Sequence, residues 1–403
     1  MRHVAISELV TQKLDYGVGA SAVPYVGYGP RYIRITDIAD DGSLREEVVA
    51  PSFHELGHLL APGDIVLART GASVGKSYLY RYEDGELAFA GFLVRARVDS
   101  SKSMPYYAYA HLHTARYWNW VEVMSVRSGQ PGINAEEFGS FKIPLPPLPT
   151  QRRIAAVLQT WDRAIALAER QLADLRDRKR GLMQRLLTGE TRLPGFEGAW
   201  EEVRLGEVVW FDRSQLPSST PPSYKFNYVS LSDVEAGHII GHTAMQYDAS
   251  PSRARRLAQV GDVIYSTVRP HLKGHAQHDG VIRDAVFSTG FVVIQAKPKK
   301  MLPSFLWQIV RSSSFEQAVV RRCTGSNYPA VTSTDMASIK VSLPSLPEQQ
   351  AIIAMLNDSD QANRELQLQV VELASQKKGL MQRLLEGDVD LDERFDKFTS
   401  VPK

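Results

Sequence analysis

A stretch in the middle of the chain is spelled a second time near its end. Lys179, Gly181-Leu182-Met183-Gln184-Arg185-Leu186-Leu187 and Gly189 return 198 positions later as Lys377, Gly379-Leu380-Met381-Gln382-Arg383-Leu384-Leu385 and Gly387. Upstream, Leu145-Pro146, Leu148-Pro149 and Gln151 recur as Leu343-Pro344, Leu346-Pro347 and Gln349, and the match is gapless from Lys142 to Gly189. A period near half of 403 residues is far too long for a solenoid, so the chain reads as a duplicated domain pair. The preceding regions match more loosely: Tyr32–Ile38 with Tyr228–Val234, Gly63–Val66 with Gly261–Ile264, and Gly91–Val94 with Gly290–Val293. Asp-centred turns between β-branched and aromatic pairs predict a mostly β head in each half, with loops that differ between the halves.

Between Pro149 and Gly189 the apolar period is helical. Ile154, Leu158, Trp161, Ile165, Ala168, Leu172, Leu175, Lys179, Leu182 and Leu186 are spaced alternately four and three, the heptad seam of a coiled coil. The second copy supplies Ile352, Leu356, Ser359, Asn363, Leu366, Val370, Leu373, Lys377, Leu380 and Leu384. About 40 residues at 1.5 Å each make a rod of about 60 Å. A seam this narrow needs another helix against it, and the other copy is the obvious partner. Its polar positions fix register and partner. The expected fold is α+β, two mostly β heads joined by two long helices in an antiparallel coiled coil. Its parts are a first head (1–146), a first helix (147–190), a linker (191–198), a second head (199–344), a second helix (345–387) and an acidic tail (388–403).

Charge gives no global signal. The net value is +2, so any grip on a polyanion comes from local patches. One cysteine, Cys323, rules out an intrachain disulfide and points to a reducing, cytoplasmic setting, and no apolar run is long enough to span a bilayer.

Three strings invite other readings. His54-Glu55-Leu56-Gly57-His58 has the spacing of a zinc peptidase helix, with Asp64 where a third ligand would stand, but Pro62-Gly63 ends such a helix early. The matching offset of the second half holds Ser252 and Arg256, so a packed or solvent-facing helix is the plainer expectation. Thr70-Gly71-Ala72-Ser73-Val74-Gly75-Lys76-Ser77 resembles a phosphate-binding loop lacking its first glycine; the second half has Thr267-Val268-Arg269-Pro270-His271-Leu272-Lys273-Gly274 there. Both loops are better read as approaching a phosphodiester backbone. Arg253-Ala254-Arg255-Arg256 is the densest basic run, and a solvated helix face explains it equally well. Thr220-Pro221-Pro222-Ser223 lacks the amide or carboxylate and the aromatic ring of a methyltransferase tetrapeptide.

The twice-occurring Leu-Pro-x-Gln (Leu148–Gln151, Leu346–Gln349) with its Gly-Leu-Met-Gln-Arg-Leu-Leu ending, and the bridge Arg192–Phe196 into Trp200–Val208, resemble the specificity (S, HsdS) subunits of type I restriction-modification systems. The resemblance spans essentially the whole chain. It implies two target recognition domains, each reading half of a bipartite double-stranded DNA site, with the helices setting the gap. It also implies two modification subunits docked on the helices and carrying S-adenosylmethionine, with restriction subunits using ATP and Mg. The chain itself would be a non-catalytic subunit without a cofactor or metal. The candidate DNA contacts are Arg31, Arg34, Arg69, Thr70, Ser73, Lys76, Ser128, Gln130 and Asn134 in the first head. In the second they are Tyr224, Lys225, Asn227, Arg269, His271, Lys273, Ser326, Asn327 and Tyr328. The alternatives are a zinc peptidase on His54, Glu55 and His58, and a structural adaptor that binds no DNA.

Overall fold

The computed structural model describes residues 2–45, 47–126, 131–235, 237–325 and 328–398. The chain divides into two compact units, and the division cuts through both long helices rather than at their ends. One unit combines Met1–Ala168 with Gln369–Lys403; the other is Glu169–Leu368.

Each unit holds the same sheet. In the first, Asp15–Tyr16, Leu93–Arg97, Asp64–Ala68 and Ser77–Leu79 lie side by side, all antiparallel. In the second the order is Val209–Phe211, Phe291–Ala296, Val263–Ser266 and His275–Gln277, again antiparallel. Central strands such as Val263–Ser266 are buried on both faces, which explains the consecutive apolar residues Val263, Ile264 and Tyr265. The Gly-Asp pairs recognised in the sequence open these strands. Asp64 Oδ2 accepts from Ala61 N at 2.9 Å and Asp262 Oδ2 from Gln259 N at 2.8 Å, closing the same turn twice. A short two-stranded pair ties the start of each head to the strand before its long helix, His3–Ala5 with Lys142–Pro144 and Glu201–Arg204 with Lys340–Leu343. The heads differ elsewhere: Lys225–Val229 belongs to a five-stranded sheet, whereas its counterpart Arg31–Ile33 forms a two-stranded sheet with Leu87–Phe89 among the described residues.

The long helices are Leu148–Thr188 and Leu346–Glu386. Their repeated glutamines explain the Leu-Pro-x-Gln signature. Gln151 Oε1 accepts from Met104 N and Ser103 Oγ at 3.0 Å, and its amide donates to Pro146 O at 2.8 Å. Gln349 Oε1 accepts from Leu302 N at 2.9 Å, and its amide donates to Lys300 O and Pro344 O at 2.9 and 3.0 Å. Each glutamine clamps a helix start to the head before it.

Within each unit the start of one helix packs beside the end of the other. Ile154 and Leu158 share a core with Met381, Leu384 and Leu385; Met183, Leu186 and Leu187 share one with Ile352 and Leu356. As residue numbers rise on one helix they fall on the other, so the pairing is antiparallel. All ten seam positions of each copy are buried or half-buried, Ser359, Asn363, Lys179 and Lys377 included. Lys179 pairs with Asp360 and Lys377 with Asp162, both across the helices. Burial lowers the Lys179 pKa against the opposing effect of Asp360. The acidic tail folds back: Leu391 is buried in the first unit's core, and Arg153 Nε bonds Asp396 at 2.6 Å.

Candidate nucleic-acid interface

In each head one hairpin carries the loop that the sequence singled out. Strand Asp64–Ala68 leads into a 3-10 turn at Gly71–Ser73 and returns as Ser77–Leu79; strand Val263–Ser266 leads into Pro270–Leu272 and returns as His275–Gln277. The first loop reaches the left-handed region with glycine, at Gly71 (φ 70°) and Gly75 (φ 87°). The second does so with Arg269 (φ 49°) and Lys273 (φ 56°), which costs about 1–3 kcal/mol each. Side chains held against that cost are typical of ligand-gripping loops.

A second loop closes on each hairpin. Ile133 N donates to Arg69 O at 2.9 Å and Gly71 N to Pro131 O at 3.2 Å; Arg269 N donates to Pro329 O at 2.8 Å and Val331 N to Thr267 O at 3.0 Å. Two segments far apart in sequence therefore form one ledge, built alike in both heads. On it the Arg69 guanidinium lies 4.7 Å from the Tyr16 ring centroid, and that of Arg269 lies 4.5 Å from Tyr328. The Tyr16 hydroxyl is fixed by Ala135 N at 3.1 Å. Arg69 Nε is buried without a hydrogen bond. An arginine held over an aromatic ring is ordered before it meets a partner. His271, Lys273 and Tyr328 are exposed in the second head, and Lys273 lies 3.3 Å from Glu316.

The remaining candidates divide by what they already hold. Thr70, Ser73 and Arg31 are half-buried, the first two on the ledge and the third on the short parallel pair. Lys76 bonds Asp40 at 2.7 Å, but Asp40 is 93% exposed. A partner so exposed holds the lysine weakly and yields readily to a phosphate. Arg34 is committed instead: it bonds both oxygens of buried Asp37 at 3.0 and 2.8 Å and meets Glu47 at 3.3 Å, and Asp37 raises its pKa. Asn134 caps the helix Ala135–Ser140, accepting from Glu137 N at 2.8 Å. Tyr224 stacks on Phe226, Lys225 is exposed, and Asn227 donates to Arg283 O at 2.8 Å. Ser128, Gln130, Ser326 and Asn327 lie outside the described residues.

Two neighbours of the ledge escaped sequence reasoning. Tyr16 carries no motif. Phe92, whose carbonyl accepts from Arg69 N at 3.0 Å, is 61% exposed; the same place in the second head is held by Gly290, whose carbonyl accepts from Thr267 N at 3.0 Å. The Gly-Phe dipeptides that match in sequence are one residue out of step in the sheets: Phe291, 1% exposed, takes the place of buried Leu93, not of Phe92.

The competing motifs resolve differently from the helices expected of them. His54 and Glu55 are exposed on extended backbone, and only Leu56–His58 makes a single 3-10 turn, so the two histidines share no α-helical face. Asp64 is fully buried and held by Arg97 at 2.7 and 2.8 Å, which removes the third zinc ligand. Among the described residues no group of three or more His, Cys, Asp or Glu could hold a metal ion. The Gly71–Lys76 loop is no phosphate cradle, because the N–H groups of Gly71, Val74, Gly75 and Lys76 are spent on carbonyls of the chain. Residues 253–256 are not helical either. Ala254–Leu257 is a strand, with Arg255 4.8 Å from the Tyr247 ring and Arg256 paired with Asp212 at 3.0 Å. Among the described residues no helix is long and apolar enough to cross a membrane.

A family model for the type I restriction modification DNA specificity domain matches residues 28–176 and again 197–373. The type I restriction enzyme MjaVIII specificity subunit of Methanocaldococcus jannaschii is 25% identical over 283 residues, 65% of this chain and 65% of its own length. The putative MjaX specificity subunit of the same organism is 25% identical over 379 residues, 89% of this chain and 84% of that protein. A chain from a solved type I restriction-modification system shares the fold, with a TM-score of 0.60 at 18% identity, covering 96% of this chain and 98% of that one.

Proposed function

Since the chain belongs to the type I restriction-modification DNA specificity family, we propose that it is the subunit that reads DNA sequence for such a complex, one head per half of a bipartite double-stranded site. The observation that carries this is the duplicated ledge. Each head brings its hairpin loop and a distant second loop together under an arginine stacked on an aromatic ring. Lysines and arginines there position the phosphate backbone, and side chains on the loops address base edges. The paired helices set the gap between half-sites and offer the surface on which two modification subunits dock.

In this reading the chain acts in the cytoplasm and performs no bond chemistry. S-adenosylmethionine and the transferred methyl group belong to the modification subunits; ATP and Mg belong to restriction subunits that join them. Neither a zinc peptidase nor a DNA-free adaptor has an observation in its favour. The test is to assemble the chain with its cognate modification subunit and titrate duplex DNA at several salt concentrations. A bipartite duplex, identified by sequencing methylated adenines in the host, should bind with an affinity that falls steeply with salt. Assembly without any DNA binding would leave the adaptor standing.

A further inference from the structure

A seam built only for strength would not bury lysine. Replacing a buried ion pair by apolar residues of similar size is often neutral or stabilising. Yet Lys179, buried, and Lys377, half-buried, occupy the same seam position of the two copies and pair with half-buried Asp360 and Asp162, which also occupy one equivalent position. Each aspartate then makes a second contact, with its own head. The Tyr106 hydroxyl donates to Asp162, and Arg311 Nη1 lies 3.7 Å from Asp360.

From there equivalent positions continue towards the hairpin in both units. Tyr109 corresponds to Trp307, His113 to Arg311, and Ser77 to His275. In the first unit the Tyr109 and His113 rings meet edge to face at 4.6 Å, and His113 Nε2 lies 3.3 Å from Ser77 Oγ. In the second, the Arg311 guanidinium lies 5.3 Å from the Trp307 ring, which meets His275 edge-on at 5.9 Å. Ser77 and His275 are the first residues of the strands that leave the two recognition loops. The first unit has a further link. A Cβ on Gly42 (φ 80°) would stand 1.9 Å from the Tyr109 hydroxyl, so that loop lies directly on the ring, and Asp40 within it holds Lys76. The side chains and the order of their contacts differ between the units, while the aspartate, two head positions and the first residue of the returning strand are shared.

We propose that Asp162 and Asp360 are positioning residues, each tying the paired helices of its unit to the recognition hairpin of that unit. Discrimination at one half-site then depends on the seam pair of one unit alone. This rests on the DNA-reading function proposed above and adds residues to it.

The test uses the full chain assembled with its modification subunits. One variant carries Asp162→Leu with Lys377→Met and another Asp360→Leu with Lys179→Met, so that no orphan seam charge remains. Methylation rates are compared on the intact bipartite duplex and on duplexes altered in a single half-site. The first variant should lose about tenfold or more of its discrimination at one half-site and keep it at the other, and the second variant the reverse. Unchanged discrimination, or equal loss at both half-sites, overturns the proposal. Should a double variant fail to assemble, Tyr106→Phe severs only the link to Asp162. It should weaken discrimination several-fold at that same half-site, and no change there overturns the proposal as well. A wild-type complex that ignores bipartite DNA would instead overturn the underlying function.

Discussion

Replacing Gln349 by leucine keeps the volume of a side chain with no exposed surface and deletes three hydrogen bonds. Neutral bonds of this kind contribute about 1 kcal/mol each. The groups left behind (Leu302 N–H and the Lys300 and Pro344 carbonyls) lie against the helix start, that of Pro344 buried, and have lost their partner. The variant should therefore lose roughly 3–5 kcal/mol, a large share of the stability of an ordinary domain. For a unit of this size that lowers the melting temperature by about 6–20 °C, which calorimetry on the intact chain reads directly. Gln349→Glu should not rescue it at neutral pH. A carboxylate can still accept from Leu302 N–H, but it faces two carbonyl oxygens and has nothing to donate. Gln151→Leu strikes the same clamp in the other unit, through Ser103, Met104 and Pro146, and should cost a similar amount. A loss below about 1 kcal/mol in both variants would refute the idea that these glutamines are repeated because they clamp the helices.

Arg69→Ala and Arg269→Ala should each weaken binding of the assembled complex to its bipartite duplex by about tenfold, and binding within twofold of wild type in both would remove the ledge from the interface. Four extra residues in the first long helix, about one turn, should widen the gap between methylated half-sites without changing their bases; sequencing of methylated adenines reads this, and an unchanged gap would discredit the helices as spacer. Acid should destabilise the chain earlier than surface carboxylates alone would. Burial lowers the pKa of His113 and His275 to about 4, so between roughly pH 6.5 and 4 the unfolded chain binds the extra protons. Stability is then full above that window and falls by up to about 1.4 kcal/mol per pH unit per histidine within it. Urea midpoints measured from pH 7 to 4.5 should decline, less so in His275→Gln.

The seam was legible because one geometric rule governs it: a helix presents the same face every three or four residues whatever its environment. Leu158 and Leu356, both with no exposed surface, follow from spacing alone. Asp162 and Asp360 lie in the same gapless match but carry no signal of their own, since they flank the seam and the lysines they pair with lie on the opposite helix. Heads obey no such single rule. Arg34 and Asn134 look like DNA-binding residues by type, yet Arg34 holds Asp37 and Asn134 caps a helix. A polar side chain beside a turn serves its own backbone as readily as a ligand, and composition cannot tell which. Residues 54–58 carry helical spacing, but with Pro51 before them and Pro62-Gly63 after them only one turn forms. Arg253–Arg256 reads as a charged helix face until Arg256 is seen reaching Asp212, more than forty residues away.

Because one compact unit is a single run, Glu169–Leu368, while the other needs Gln369 onward to finish, the two cannot mature in the order in which their heads are translated. The later head has all of its partners once Leu368 has emerged from the ribosome. The earlier one waits, with Ile154 and Leu158 uncovered, until Met381, Leu384 and Leu385 have been made. Domains of a nascent chain ordinarily fold from the N-terminus onward. Here the first head to be synthesised is the last to be sealed, and a nascent chain stalled between 369 and 385 leaves its apolar groove open to chaperones.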